Sequence, residues 1–210
     1  MSHASTYTPH IAKTSRERER CYKLRHIVYC EKFKFEPANE KKKETDRHDN
    51  SPDTIHIYLT PPNSVTPHAY MRFIQENSGD SLQFEDAYRR NGHSLTRAFN
   101  KLCGDGPRIE ISRFCKMPDA DREITPQLVL CSIIMLEQLQ AEGAALLSEA
   151  GFVRHLEKMG LDLRPMGHEI EFHGKRCALW MPTAQDKMIA KHPANYQRFK
   201  KILQGDTCKV

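Results

Sequence analysis

The stretch Arg108-Ile109-Glu110-Ile111-Ser112-Arg113-Phe114 constrains this chain more than any other. Its alternation is that of a β-strand, with Ile109, Ile111 and Cys115 facing one way and Glu110, Ser112 and Phe114 the other. Such a strand, once half-buried, must find partners for Glu110, because an unpaired buried charge is expensive. Taken alone, it reads as a strand whose polar face meets solvent. A second group of charged residues upstream turns the reading away from that.

Around this strand the hydrophobic period switches repeatedly between that of helix and that of sheet. From Ser15 onward Cys21, Leu24, Ile27 and Val28 recur at helical spacing, and Arg25 and Tyr29 share a face one turn apart. A polar loop at 40–50 closes on Glu44-Thr45-Asp46-Arg47-His48-Asp49; carboxylates gathered like this suit solvent, a metal or a cationic substrate. Residues 55–59 and 69–74 alternate as two strands of a hairpin, the second with Arg72 inside it. A weak helical pattern (Leu95, Phe99, Leu102) lies within 75–107. Residues 125–142 are the most apolar segment and read as a central buried helix opening at Thr125-Pro126. There follow a short strand at 144–147, a helix at 152–159 stopped by Gly160, and strands at 169–172 and 176–181 turned by His173-Gly174. The sum is an α/β (α+β) fold, a single domain with a mixed central sheet flanked by helices. The expected organisation is a flexible N-terminus at 1–14, the domain at 15–182 and a basic helical tail at 183–210.

A chain of 210 residues can bury one sizeable core. Its net charge of +5 suits a negatively charged partner, without choosing among nucleic acid, an acidic protein and a membrane surface. The seven cysteines are odd in number, lack a CxxC pair and sit mostly in apolar segments, which is the usage of a reducing compartment. The opening residues lack the plan of a signal peptide, and no apolar run is long enough to span a bilayer. A cytoplasmic protein without stable membrane insertion is expected. GxxxxGK[ST], HExxH and GxSxG do not occur. The histidines are scattered, and His168 and His173 do not make a metal site, so no metal is expected. The basic tail comes with no aromatic stacking motif or reading helix, so nucleic acid is not the expected partner.

Four pieces remain, in order: Leu24-Arg25, Val28-Tyr29 and Phe35; Glu44, Asp46 and Asp49; Met71-Arg72-Phe73; and Glu110-Ile111-Ser112-Arg113. Together they resemble the signature of the acyl-homoserine-lactone synthases and their relatives, the N-acyl amino acid synthases and the acyltransferases found beside exosortase systems. The resemblance covers about residues 21–182. It implies a GNAT-like fold and transfer of a fatty acyl chain from acyl carrier protein to an amine. It also implies that Arg25, Asp46, Asp49, Arg72, Glu110, Ser112 and Arg113 match the invariant polar positions of the lactone synthases. Tyr29 and Phe35 stand where those enzymes usually carry Phe and Trp, the latter on the amine-substrate side. Tyr29-Cys30-Glu31, Phe35-Glu36-Pro37 and the run from Gly167 to Arg176 are more similar to the amino acid synthase and exosortase-associated branches. The expected acceptor is therefore the α-amine of an amino acid. The alternatives are a lactone synthase consuming S-adenosylmethionine and a non-catalytic basic binding module.

An amine attacks a thioester only when unprotonated, and Glu110 is the base expected to take its proton. Ser112 lies beside it, and N–H donors from the strand after Ser112 would hold the oxyanion. On the resemblance, Arg25, Tyr29, Phe35, Asp46, Asp49, Arg72 and Arg113 form the substrate side, with Asp46 and Asp49 able to hold an ammonium. The same charged residues could equally form a buried ion-pair network, and Arg25, Arg72 and Arg113 are expected to be mainly structural. No cofactor is expected, the acyl donor being acyl carrier protein. Acetyltransferases of this fold that use coenzyme A carry a Gln/Arg-x-x-Gly-x-Gly/Ala turn, whereas residues 116–123 hold no glycine and three carboxylates. Carrier proteins are acidic, which suits Lys116, Arg122, Arg154 and Lys158 as their docking residues.

Overall fold

In the computed structural model, which describes residues 7–76 and 81–207, the first helix is set by Thr14. The Thr14 hydroxyl accepts from the Glu17 backbone N–H (3.2 Å), and the Glu17 carboxylate accepts from the Thr14 backbone N–H (2.8 Å). Such a capping box is worth about 1 kcal/mol and fixes the start of α1 (Ser15–Arg25). α1 runs on into a π-helical segment, His26–Lys32, in which the Phe33 N–H reaches back five residues to the Val28 carbonyl (3.0 Å). π-turns of this kind are frequent at functional sites.

The strands are β1 (Thr8–Ile11), β2 (Thr54–Thr60), β3 (Ala69–Gln75), β4 (Ile109–Lys116), β5 (Gly143–Ser148), β6 (Arg164–Pro165), β7 (Ile170–Glu171) and β8 (Lys175–Pro182). Their pairing order is β1-β2-β3-β4-β5-β8-β6, with β7 on β8. The remaining helices are α2 (Gln83–Arg90), α3 (Thr96–Cys103), α4 (Ile124–Gln138), α5 (Ala150–Met159), α6 (Asp186–Lys191) and α7 (Pro193–Thr207). β4 and β5 are parallel, and α4 is the crossover that a parallel pair requires. The mixed α/β architecture agrees with the sequence pattern.

The chain divides into two compact units, with β3, β4 and α4 each passing from one to the other. The first takes residues up to 72, with 113–132 and 194 onward. There β1 runs antiparallel to β2, Thr8 opposite Thr60 and Ile11 opposite Ile57. Its core joins Ala12, Cys21, Leu24, Val28, Tyr58, Tyr70 and Cys115. The second unit takes residues 73–112 and 133–193. β5 pairs antiparallel with β8 from Gly143–Pro182 to Ser148–Cys177, over a core that includes Phe84, Tyr88, Phe99 and Trp180. Gly143 is obligatory, since a Cβ there would stand 2.4 Å from the Met181 carbonyl oxygen.

Two expectations change. Residues 8–11, expected to be loosely held, form β1; the segment is too short and polar to show a period, and Pro9 is tolerated because β1 ends the pairing order. Residues 1–6, also assigned to the flexible N-terminus, lie outside the described residues. The apolar helix stops at Gln138, short of 142. Gln140 adopts a left-handed φ of 53°, and the N–H groups of Gln140 and Ala141 return to the carbonyls of Glu137 (3.2 Å) and Leu136 (3.0 Å). This is a Schellman ending without the usual glycine, so the sequence did not mark it. Cys21, Cys30, Cys103, Cys115 and Cys131 are buried free thiols and Cys177 a half-buried one, while Cys208 lies outside the described residues.

Candidate active site

Asp46 and Asp49 fix each other through the backbone before they meet any other side chain. Asp46 caps the short 3₁₀ turn Arg47–Asn50 by accepting from the His48 N–H (2.9 Å), and Asp49 Oδ2 accepts from the Asp46 N–H (2.7 Å). Asp-x-x-Asp is thus a capping pair, a signal present in the sequence that a reading as a plain acidic loop misses. The pair then receives two fully buried guanidinium groups. Arg72, on β3, donates from Nη1 to Asp46 Oδ1 (2.6 Å) and Asp49 Oδ1 (2.7 Å), and from Nη2 to Asp46 Oδ2 (2.9 Å). Arg25, at the end of α1, donates from Nη1 to Asp49 Oδ1 (2.6 Å) and from Nε to Glu44. Arg113, on β4, donates to Asp46 Oδ2 from Nη2 (2.9 Å) and Nε (3.2 Å), and its Nη2 also meets Glu44 Oε1 (3.2 Å).

Three arginines and three carboxylates therefore neutralise one another. Burial opposes ionisation of Asp46, but Arg72, Arg113 and Arg25 outweigh it and hold the carboxyl well below the usual range. Asp49 is lowered in the same way, by Arg25 and Arg72 against its burial. Burial likewise disfavours the charge on Arg25, and Tyr70, Asp49 and Glu44 overcome it. Both aspartates are thus occupied by arginines rather than presented to a substrate ammonium. His56 Nδ1 and the Tyr70 hydroxyl lie 2.7 Å apart. Burial lowers the His56 pKa to about 4, so the ring is neutral near pH 7. Tyr22 and Tyr70 place their rings 5.5 and 5.7 Å from the Arg25 guanidinium. Sequence reasoning passed over His56, Tyr22 and Tyr70, which sit in ordinary strand and helix patterns and carry no motif.

Tyr29 comes from the π-helical segment. Its hydroxyl donates to the Phe114 carbonyl (3.1 Å), and the Arg113 guanidinium lies 5.5 Å from its ring centre. Phe35 lies 6.5 Å from Tyr29 and stacks on Phe33 at 5.3 Å. Arg113 itself has a φ of 54° within the continuous strand β4, a conformation rare for a residue with a Cβ, immediately after Ser112.

In the other unit, the polar face of β4 does not meet solvent: Glu110 is 1 % exposed and Ser112 9 %. Glu110 Oε2 accepts from the Phe84 N–H (3.2 Å) in the first turn of α2, whose own N-cap is the apolar Leu82. A β4 carboxylate thus does the capping that Leu82 cannot do. Arg108 reinforces α2 through Glu85 (2.6 Å). β4 and β5 share one registered pair, Glu110 opposite Ala145.

Of the basic residues expected to dock a carrier, Lys116 is engaged, its Nζ donating to the carbonyls of Ala120 (3.1 Å) and Asp121 (3.3 Å). Arg122 is exposed in the first unit; Arg154 and Lys158 are exposed in the second, on α5. At the approach to α4, Asp121 Oδ1 accepts from the Glu123 N–H (3.0 Å), so a carboxylate already answers an N–H where a pyrophosphate would need one. Among the described residues no group of His, Cys, Asp and Glu could hold a metal, and no helix is long and apolar enough to cross a membrane.

No protein-family model matches the chain, and no curated protein matches it in sequence. Solved structures do match. The acyl-homoserine-lactone synthase LasI superposes with a TM-score of 0.70 at 14% identity, over 90% of this chain and 96% of that one. BjaI, a CoA-dependent acyl-homoserine-lactone synthase solved with S-adenosylmethionine and isopentyl-CoA, gives 0.69 at 14%, over 91% and 90%. FeeM, an N-acyl amino acid synthase from uncultured soil microbes, gives 0.65 at 9%, over 86% and 92%. At these identities the likeness is one of fold.

Proposed function

We propose that this chain, built on the fold of those synthases, is an N-acyltransferase that moves a long-chain fatty acyl group from acyl carrier protein to the α-amine of an amino acid. The observation that carries the reading is β4. It holds a buried carboxylate at Glu110, a buried hydroxyl at Ser112 and a left-handed residue at Arg113 within four residues. In the reaction the amine nitrogen attacks the thioester carbonyl carbon, a C–N bond forms, and the C–S bond breaks. The carrier's pantetheine thiol departs with a proton. Because the free α-amine is mostly ammonium near pH 7, a base must first remove a proton, and Glu110 takes it directly or through one water. The Phe84 N–H fixes Glu110 Oε2 and thereby orients the carboxylate. The left-handed φ at Arg113 supports the assignment of oxyanion donors to the backbone after Ser112, since a positive φ re-aims the adjoining peptide groups.

Arg25, Arg72, Asp46 and Asp49 are positioning residues in this reading, while Tyr29, Phe35 and Arg113 face the acceptor. The glycine-free, acid-capped approach to α4 supports a carrier-bound donor over coenzyme A. Arg154 and Lys158, exposed together on α5, are assigned to the acidic carrier, in the cytoplasm. The test is mass spectrometry of lipid extracts from cells expressing the chain or its Glu110→Gln variant. N-acyl amino acids that appear with the first and vanish with the second bear the proposal out. An acyl lactone formed from S-adenosylmethionine would replace the acceptor, and absence of any acylated product overturns the enzyme reading.

A further inference from the structure

Glu36 stands outside the balanced cluster. Arg25, Arg72 and Arg113 already match Glu44, Asp46 and Asp49 in charge, and Glu36 approaches Arg113 as a fourth carboxylate. Its Oε1 lies 3.4 Å from Arg113 Nη1, longer than the 2.9 Å from Nη2 to Asp46. Asp46 and Glu44 serve the Nε and Nη2 edge of this guanidinium, so Nη1 is the edge turned to Glu36. The Glu36 side chain is 26 % exposed, whereas that of Glu44 is 5 %. Glu36 lies on an irregular segment that leaves the π-helical turn. Lys34 has a φ of 55°, and the backbone N–H groups of Phe35 and Glu36 both return to the Tyr29 carbonyl (2.8 and 3.3 Å). Phe33, stacked on Phe35, is 49 % exposed.

We infer that Arg113 Nη1 is the binding site for the carboxylate of the acceptor amino acid, and that Glu36 is a built-in competitor for it. The inference rests on the amino acid acyltransferase reading and deepens it. One carboxylate replaces another, so the exchange leaves the net charge around Arg113 unchanged, and the inner pairs with Asp46 and Glu44 need not break. The bound carboxylate then sits beside Tyr29, whose ring already faces the same guanidinium. An amine without a carboxylate gains nothing from the exchange, so Arg113 Nη1 selects for amino acids over simple amines while Glu36 holds their affinity down.

The experiment uses the full chain as wild type and as Glu36→Gln, which keeps the size of the side chain and removes its charge. Each protein is titrated, with no acyl donor present, with a set of L-amino acids and with the matching amino acid amides. Glu36→Gln is expected to bind at least one acid three- to tenfold tighter than wild type, with the amides unchanged. Equal affinities of the two proteins for the acids, an equal gain for the amides, or no binding by either protein overturns the inference. Acyl transfer is measured separately on both proteins. Transfer with an unchanged acid preference defeats the carboxylate site alone, whereas an acid-specific gain without transfer from any donor defeats the enzyme reading alone.

Discussion

Asp46→Asn removes one charge and almost no volume, which makes it the cleanest probe of the arginine cluster. The native carboxylate accepts from Arg72 Nη1 and Nη2, from Arg113 Nη2 and Nε, and from the His48 N–H. An asparagine oxygen can still accept from His48, so the cap survives, but its NH₂ opposes a guanidinium. Breaking a buried ion pair by neutralising one partner costs about 3–5 kcal/mol. A domain is stable by only about 5–15 kcal/mol. At this chain length each kcal/mol moves Tm by about 2–4 °C, so the variant should melt about 6–20 °C lower at pH 7, read by circular dichroism. The same charge sets an acid limit. The folded pKa of Asp46 is depressed, so its contribution is complete above the unfolded value of about 4 and is lost as pH falls below it. Wild type and variant should therefore converge in Tm on acidification. A shift under about 2 °C at pH 7 would refute the cluster as the element that fixes the 3₁₀ turn to β3. Adding Arg72→Met to Asp46→Asn should cost less than the sum of the two single changes, because both break the same pairs.

Three further outcomes follow. Glu110→Ala should lose about 1–3 kcal/mol in urea unfolding by leaving the first turn of α2 uncapped, while Glu110→Gln, whose amide oxygen can accept from Phe84, should lose less than half of that. His56, lowered to about 4 by burial, stays neutral in the fold while the unfolded chain protonates near pH 6.5. Stability should fall by about 3 kcal/mol between pH 6.5 and 4, and His56→Asn should flatten that slope even though it is less stable at pH 7. Arg154→Glu with Lys158→Glu should raise the KM for acyl carrier protein about tenfold at low salt, leave kcat unchanged, and lose most of that effect at 0.5 M salt.

The sequence revealed the alternating elements because their burial is patterned: β4, the short apolar β5 and the apolar α4 each carry their own pattern. It also supplied every charged member of the cluster, since Arg72 inside a strand and Asp46 and Asp49 on a loop are out of place without partners. It could not say who pairs with whom. Asp46 and Asp49 suit an ammonium as well as they suit an arginine, and only distances show that Arg25, Arg72 and Arg113 hold them. The helix end at Gln140 and the left-handed φ at Arg113 were invisible because a left-handed φ without glycine leaves no mark in composition. Glu110 as the cap of α2 was hidden for a different reason: donor and acceptor are 26 residues apart. His56 and Tyr70 were missed because a buried hydrogen bond between two strands has no local signature.

The most direct measurement is acyl transfer in solution from long-chain acyl carrier protein to each amino acid, with wild type and Glu110→Gln assayed side by side. A general base contributes about 10²–10⁴ in rate. The account predicts an N-acyl amino acid from wild type and a kcat at least about 100-fold lower for the variant, with Tm lowered by less than about 6 °C. A folded Glu110→Gln protein that turns over as fast as wild type would contradict it.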